Sequence, residues 1–189
     1  MYPDPYMRSP GDIDIWCQIR PEASADAGQT DVQTQRKHYF WTVDPEIAKL
    51  IKIARRQDNK GEIGYHHIEL NVMKTPVELH FFPSFMGNIV HEKRLRRWFD
   101  DHKDEQFRNM VQLPDGLGTI CIPTNSFNVV FQLSHLMRHF FFEGIGLRQM
   151  IDYYYLLRRR LTPDEKQQVL GTLRHTGMLK FASAVMYIM

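Results

Sequence analysis

Cysteine is nearly missing from this chain: only Cys17 and Cys121 carry thiols among 189 residues. They lie far apart and match no metal-ligand spacing, so two buried, reduced thiols are expected in place of a disulfide. Charge of one sign is also lacking. The 24 Lys and Arg face 22 Asp and Glu, and the net +2 is too small to mark a nucleic-acid footprint by itself. No segment reaches the roughly 18 apolar residues a membrane span needs. The opening MYPDPYMRSPGDIDIW has no apolar stretch of the signal-peptide kind. The expected compartment is the cytoplasm, with no membrane partner.

What is present suffices for a core. Apolar residues make up 43% of the chain, so neither a disulfide nor a structural metal is required for folding. The length fits one domain or two small ones. Pro3, Pro5, Pro10 and Gly11 make the start an extended entry segment, and Ile13, Ile15 and Trp16 then read as a short strand. Residues 21–35, rich in Ala, Ser, Asp, Gly, Gln and Thr, read as a mobile loop.

Residues 45–56 predict a helix. Asp44 stands at its N-cap and Pro45 at the first helical position, and Ile47, Leu50, Ile51 and Ala54 recur at helical spacing. Next, Ile68, Leu70 and Val72 alternate with His67, Glu69 and Asn71. Lys74-Thr75-Pro76 supplies a turn before residues 77–82, which predicts a β-hairpin. Beyond Gly87 the character shifts. Residues 92–107 are charged and helical or loop-like, and residues 119–122 form a short strand after the turn at Asp115-Gly116. Helices are expected over 126–142, 147–160, 163–176 and from 179 to the end, with Thr162 capping the third. The fold class is α+β: a small mixed or antiparallel sheet over residues 1–87, then a mainly helical region over 88–189.

The stretch Gly11-Asp12-Ile13-Asp14-Ile15 carries the chemistry. Residues two apart on a strand share a face, with α-carbons roughly 6.6–6.8 Å apart. Asp12 and Asp14 therefore project together while Ile13 and Ile15 bury opposite. Two carboxylates repel by roughly 1–4 kcal/mol at about 4 Å, which a cation between them or one proton relieves. Val77, Leu79 and Phe81 form one face of the second hairpin strand, so Glu78 and His80 share the other, and Glu69 also points to the polar side. Three carboxylates from adjacent strands can hold two Mg²⁺ ions about 3.5–4 Å apart, and oxygen ligands select Mg²⁺ or Mn²⁺ over zinc. A lone Asp-x-Asp is more often a solvated strand edge. Its company here gives it weight.

At these residues the sequence resembles the nucleotidyltransferase superfamily typified by DNA polymerase β, and more closely a bacterial family of uncharacterised nucleotidyltransferases. The resemblance rests on Tyr2-Pro3-Asp4-Pro5, on Arg8-Ser9-Pro10-Gly11-Asp12-Ile13-Asp14-Ile15, and on Val77-Glu78-Leu79-His80. It continues through His135, His139 and the run from Glu143 to Asp152, and so spans nearly the whole chain. It implies a polymerase β-like sheet, a nucleoside triphosphate as substrate, and attack of an acceptor oxygen on the α-phosphorus with loss of pyrophosphate. Asp12 and Asp14 would bind both metals. Glu78 would bind the metal nearer the acceptor and help deprotonate it. The acceptor, whether small molecule, protein or RNA, is not implied. The superfamily carries a Gly-Gly or Gly-Ser pair on a helix ahead of the first Asp, and residues 1–10 hold no glycine. Either the chain begins late or it has lost nucleotide binding. Met189 likewise falls inside an apolar run, so a truncated, inactive chain is one expectation.

Other constellations have plainer readings. His135 and His139 stand at zinc-binding spacing on a helix, but Leu136, Met137 and Arg138 between them do not make a metalloprotease motif, and core histidines are expected. Arg8 and Arg148 are the candidate phosphate contacts, with an Arg148–Asp152 pair as the alternative for the second. The basic stretch Lys93 to Trp98 is neutralised by Asp100, Asp101, Asp104 and Glu105 and reads as a solvated face. Residues 140–142 and 153–155 read as core and interface aromatics, and exposed members would mark a subunit contact, which leaves a homo-oligomer open. Two rivals to an enzyme stand beside it: a non-catalytic nucleotide-binding or regulatory module, and a toxin–antitoxin-like interaction partner.

Overall fold

The computed structural model describes residues 4, 7–8, 11, 13–18, 45–58 and 61–189. Asp12, the Asp44 cap and the loop expected over 21–35 lie outside these residues. The chain divides into two compact units, Pro10–Pro83 on one side, and Met1–Ser9 with Ser84–Met189 on the other.

Among its described residues the first unit holds a three-stranded mixed sheet and one helix. Strand β1 (Ile13–Trp16) pairs in parallel with β3 (Thr75–His80), and β3 pairs antiparallel with β2 (His67–Val72), giving the order β1-β3-β2. Helix α1 (Pro45–Gln57) packs on β2 and buries Ile51 and Ala54. Ile68, Leu70 and Val77 supply the sheet's share of that core. Ile13 and Ile15 were expected to bury, yet they stay 45% and 42% exposed. α1 packs chiefly on β2 at the other edge of the sheet, so the apolar side of β1 gains little from it.

The hairpin turn falls earlier than the sequence suggested. Met73 and Lys74 both adopt left-handed backbone, with φ of 51° and 68°, as a two-residue type I′ turn requires. Thr75 and Pro76 thus belong to β3. Proline's missing amide donor is tolerated there because pairing with β1 begins only at Val77, leaving Pro76 unneeded as a donor to that neighbour.

In the second unit, helix α2 (Ile89–Arg108) starts at Asn88, whose side chain accepts from the amides of Val90 and His91. The two-stranded hairpin β4 (Met110–Gln112) and β5 (Thr119–Cys121) follows; β4 is a strand the sequence did not signal. Helices α3 (Asn125–Phe142), α4 (Leu147–Leu157), α5 (Pro163–His175) and α6 (Leu179–Ile188) complete the chain. Thr162 and Glu165 form a reciprocal capping box at the start of α5, as the Thr-Pro-Asp-Glu run predicts. Leu95, Phe99, Val130, Leu133, Leu136, Tyr153, Leu156 and Met178 are buried in this unit.

Two sequence expectations fail here. Phe140, Phe141 and Phe142 are each more than half exposed, because the run lies at the C-terminal end of α3, beyond the buried stretch that ends at Leu136. Cys121, expected to be buried, is exposed on the edge hairpin, and only Cys17 is partly covered; burial pushes the Cys17 thiol up. Asp152 binds the Arg8 guanidinium through both carboxylate oxygens, with contacts of 3.0–3.2 Å.

Candidate metal-binding site

The register of the small sheet decides which side chains meet. Asp14 stands beside Glu78 on the parallel pair, and Glu78 stands opposite Glu69 on the antiparallel pair. One step along, Trp16 is beside His80 and His80 is opposite His67. Alternation places all six on one face. That face therefore carries a row of carboxylates next to a row of imidazole and indole rings.

The rows interlock. His80 is buried, and its Nε2 lies 2.9 Å from Asp14 Oδ1 and 3.2 Å from Glu78 Oε2. One imidazole N–H thus sits between two carboxylates that would otherwise face each other. His67 approaches the same group from β2, with Nδ1 3.7 Å from Glu78 Oε2 and Nε2 3.4 Å from Glu69 Oε1. His66, in the bend just before β2, meets both edge-on, its ring centre 4.7 Å from His67 and 4.8 Å from His80.

These contacts set the charges. The hydrogen bond from His80 holds the Glu78 carboxyl below its ordinary range; partial burial opposes this and His67 assists it. Burial pulls the His80 imidazole toward its neutral form, but the hydrogen bonds to Asp14 and Glu78 outweigh it and the net shift is upward. The pair favours ionised Glu78 and cationic His80.

The donor set fits a divalent cation. Asp14, Glu78 and His80 each present a ligand atom, all within 4.8 Å of one another, and so do His67, Glu69 and Glu78. Two carboxylate oxygens converge on a single nitrogen, that of His80. Hard oxygen donors of this kind suit Mg²⁺ or Mn²⁺.

Of the side chains singled out from sequence, the structure brings Asp14 and Glu78 together. Asp12 lies outside the described residues. Arg8 and Arg148 lie on the helical unit. The sequence did not mark His66 and His67 as site residues; the signal was the adjacent His-His pair entering a strand whose hairpin partner carries Glu-x-His. His135 and His139 form a hydrogen-bonded chain. Their Nε2 atoms lie 2.9 Å apart, His139 Nδ1 reaches Glu143 at 2.8 Å, and Arg138 contacts both His139 and Glu143. Both ring nitrogens of His139 are thereby used. Trp98, at the end of the basic stretch read as a solvated face, lies 4.9 Å from Phe127 in a stacked pair.

A family model described as an uncharacterised nucleotidyltransferase covers residues 1–189, and the chain belongs to that family. No curated protein matches, and no solved structure matches. Among the described residues no helix is long and apolar enough to cross a membrane.

Proposed function

From the premise of that membership, we propose that the chain binds Mg²⁺ or Mn²⁺ through Asp14 and Glu78, with Asp12 as the third carboxylate, and transfers a nucleotidyl group from a nucleoside triphosphate to an acceptor. The observation that carries this reading is the meeting of Asp14 and Glu78 at one nitrogen, that of His80. Two acids from separate strands, 64 positions apart in the sequence, would be costly to hold together without a positive partner.

A bound divalent ion would supply charge neutralisation on the phosphates and a lowered pKa for the acceptor hydroxyl. The rest falls to the chain. Asp14 and Glu78 would hold the cation on one face of the sheet. Glu78, kept ionised by His80, takes the proton of the acceptor hydroxyl as that oxygen forms its bond to the α-phosphorus and pyrophosphate leaves. His80, anchored between the two acids, holds the carboxylates in position.

The test is a thermal-shift screen of nucleoside triphosphates with Mg²⁺ or Mn²⁺, followed by transfer of label from the α-phosphate to small-molecule, protein and RNA acceptors. A ligand that binds only native protein at about 100 times its dissociation constant adds about 2.7 kcal/mol. That gain should appear in the wild type and vanish in Asp14→Asn, Glu78→Gln. Equal shifts in the two proteins would remove the carboxylates from the reading. A second reading, a non-catalytic nucleotide-binding module, gains support from the cation that His80 already offers the two acids. It predicts metal-independent nucleotide shifts and no label transfer.

A further inference from the structure

We propose that His66, His67 and His80 form a second metal site on this unit, one for a borderline divalent ion of the zinc class. It lies beside the carboxylate site and shares His80 with it.

Three features point to it. The first is convergence. His67 and His80 are direct cross-strand partners, and His66 reaches them from the adjoining bend. The ring centres lie 4.7, 4.8 and 5.3 Å apart, and one nitrogen from each residue falls within a common 4.8 Å. With Zn–N bonds of about 2.0–2.1 Å, a tetrahedral ion places its nitrogens about 3.4 Å apart and three ligating rings about 5 Å apart, centre to centre. The rings already have that spacing.

The second feature is how the other nitrogens are used. Nε2 of His80 contacts Asp14 and Glu78, and Nε2 of His67 contacts Glu69. Metal-bound histidines commonly donate their far N–H to a carboxylate, which fixes the tautomer and strengthens the ligating nitrogen. That pattern is present on two of the three rings.

The third is what it leaves behind. Nδ1 of His67 and Nδ1 of His80 are buried and make no hydrogen bond; the 3.7 Å approach of His67 Nδ1 to Glu78 is too long to serve as one. A buried, unsatisfied ring nitrogen is costly, and a metal ion ligated by it removes that cost. Imidazole donors favour zinc, cobalt and nickel over Mg²⁺, so the two sites would sort different ions. Asp14, Glu78 and Glu69 stand next to the rings and supply negative charge to balance a dication on neutral imidazoles.

This inference does not depend on nucleotidyl transfer, and its test separates the two. Metal-free full-length protein is titrated with Zn²⁺ by calorimetry, and with Co²⁺ by visible absorption, which reports nitrogen ligation in a low-symmetry site. The proteins are wild type, His67→Gln, His66→Gln, and Asp14→Asn with Glu78→Gln, each checked for fold by circular dichroism. The expected result is a single zinc site whose affinity falls at least about 100-fold in either histidine variant. In the carboxylate variant it should weaken by no more than the roughly 10–100-fold typical of outer-shell changes, while the Mn²⁺ response is lost. Zinc binding of equal strength in wild type and His67→Gln overturns the proposal. So does a wild type that takes up no Zn²⁺ and shows no Co²⁺ ligand-field bands. Because His67 is the least buried of the three, its variant keeps the test decisive if His66→Gln fails to fold.

Discussion

His80 Nε2 lies 2.9 Å from Asp14 Oδ1, and through this contact the imidazole gives the edge strand's carboxylate a positive partner from the middle of the sheet. The same nitrogen serves Glu78, so removing the ring should strand both acids. His80→Ala should lose about 2–4 kcal/mol, from the cavity left by a buried ring and from the unmasked repulsion. Denaturant unfolding measures it. Excess Mn²⁺ should recover part of the deficit, because the ion takes the place of the lost cation.

The same contacts give a pH profile in metal-free protein. His80 is raised above its ordinary 6.5, so its contribution is complete below that value and drains away as pH rises through the folded pKa. Glu78 is lowered from 4.5, so its contribution is complete above that value and is lost as pH falls through the folded pKa. Stability from this cluster should therefore peak between about pH 4.5 and 6.5. His80→Gln should flatten the slope on the basic side. An unchanged slope in unfolding curves taken with a chelator present would contradict the assignment.

Much of this site was readable from residue order, and the part that was not has a definite cause. Asp14 and Glu78 were legible because Asp-x-Asp and apolar-Glu-apolar alternation each fix a face. The histidine cluster was not, because it depends on register. A turn centred on Thr75 would set His67 opposite Pro83, whereas the observed turn between Met73 and Lys74 sets it opposite His80. Neither Met nor Lys advertises left-handed backbone, so composition pointed to Lys-Thr-Pro instead. The helices of the second unit were legible from Thr162, Pro163 and the apolar spacing. The exposure of Phe140 to Phe142 was not, since a triple aromatic run looks like core whichever way it faces. β4 carries no turn residue or alternation long enough to mark it.

That turn yields its own prediction. Two non-glycine residues in left-handed backbone each cost about 1 kcal/mol or more, and Asn-Gly is the preferred pair for a type I′ turn. Met73→Asn with Lys74→Gly should raise stability by about 1 kcal/mol and tighten the register that aligns His67 with His80. Thermal unfolding of the double variant tests it; a lowered midpoint would argue against the turn placement.

A second backbone position should behave in the opposite way. Gly177 ends α5 with φ of +76°, and a Cβ there would collide with the His91 ring. The Met178 amide closes the helix end on the Leu173 carbonyl, the Schellman pattern. Gly177→Ala should cost about 1–3 kcal/mol through backbone strain and displacement of His91. Denaturant midpoints read it directly.

The most direct measurement for the central claim is calorimetric titration of Mn²⁺ into chelator-treated protein, wild type against Asp14→Asn with Glu78→Gln. The account predicts binding to the wild type that weakens at least about 100-fold, about 2.7 kcal/mol, in the double variant. Matching isotherms from the two proteins would contradict it.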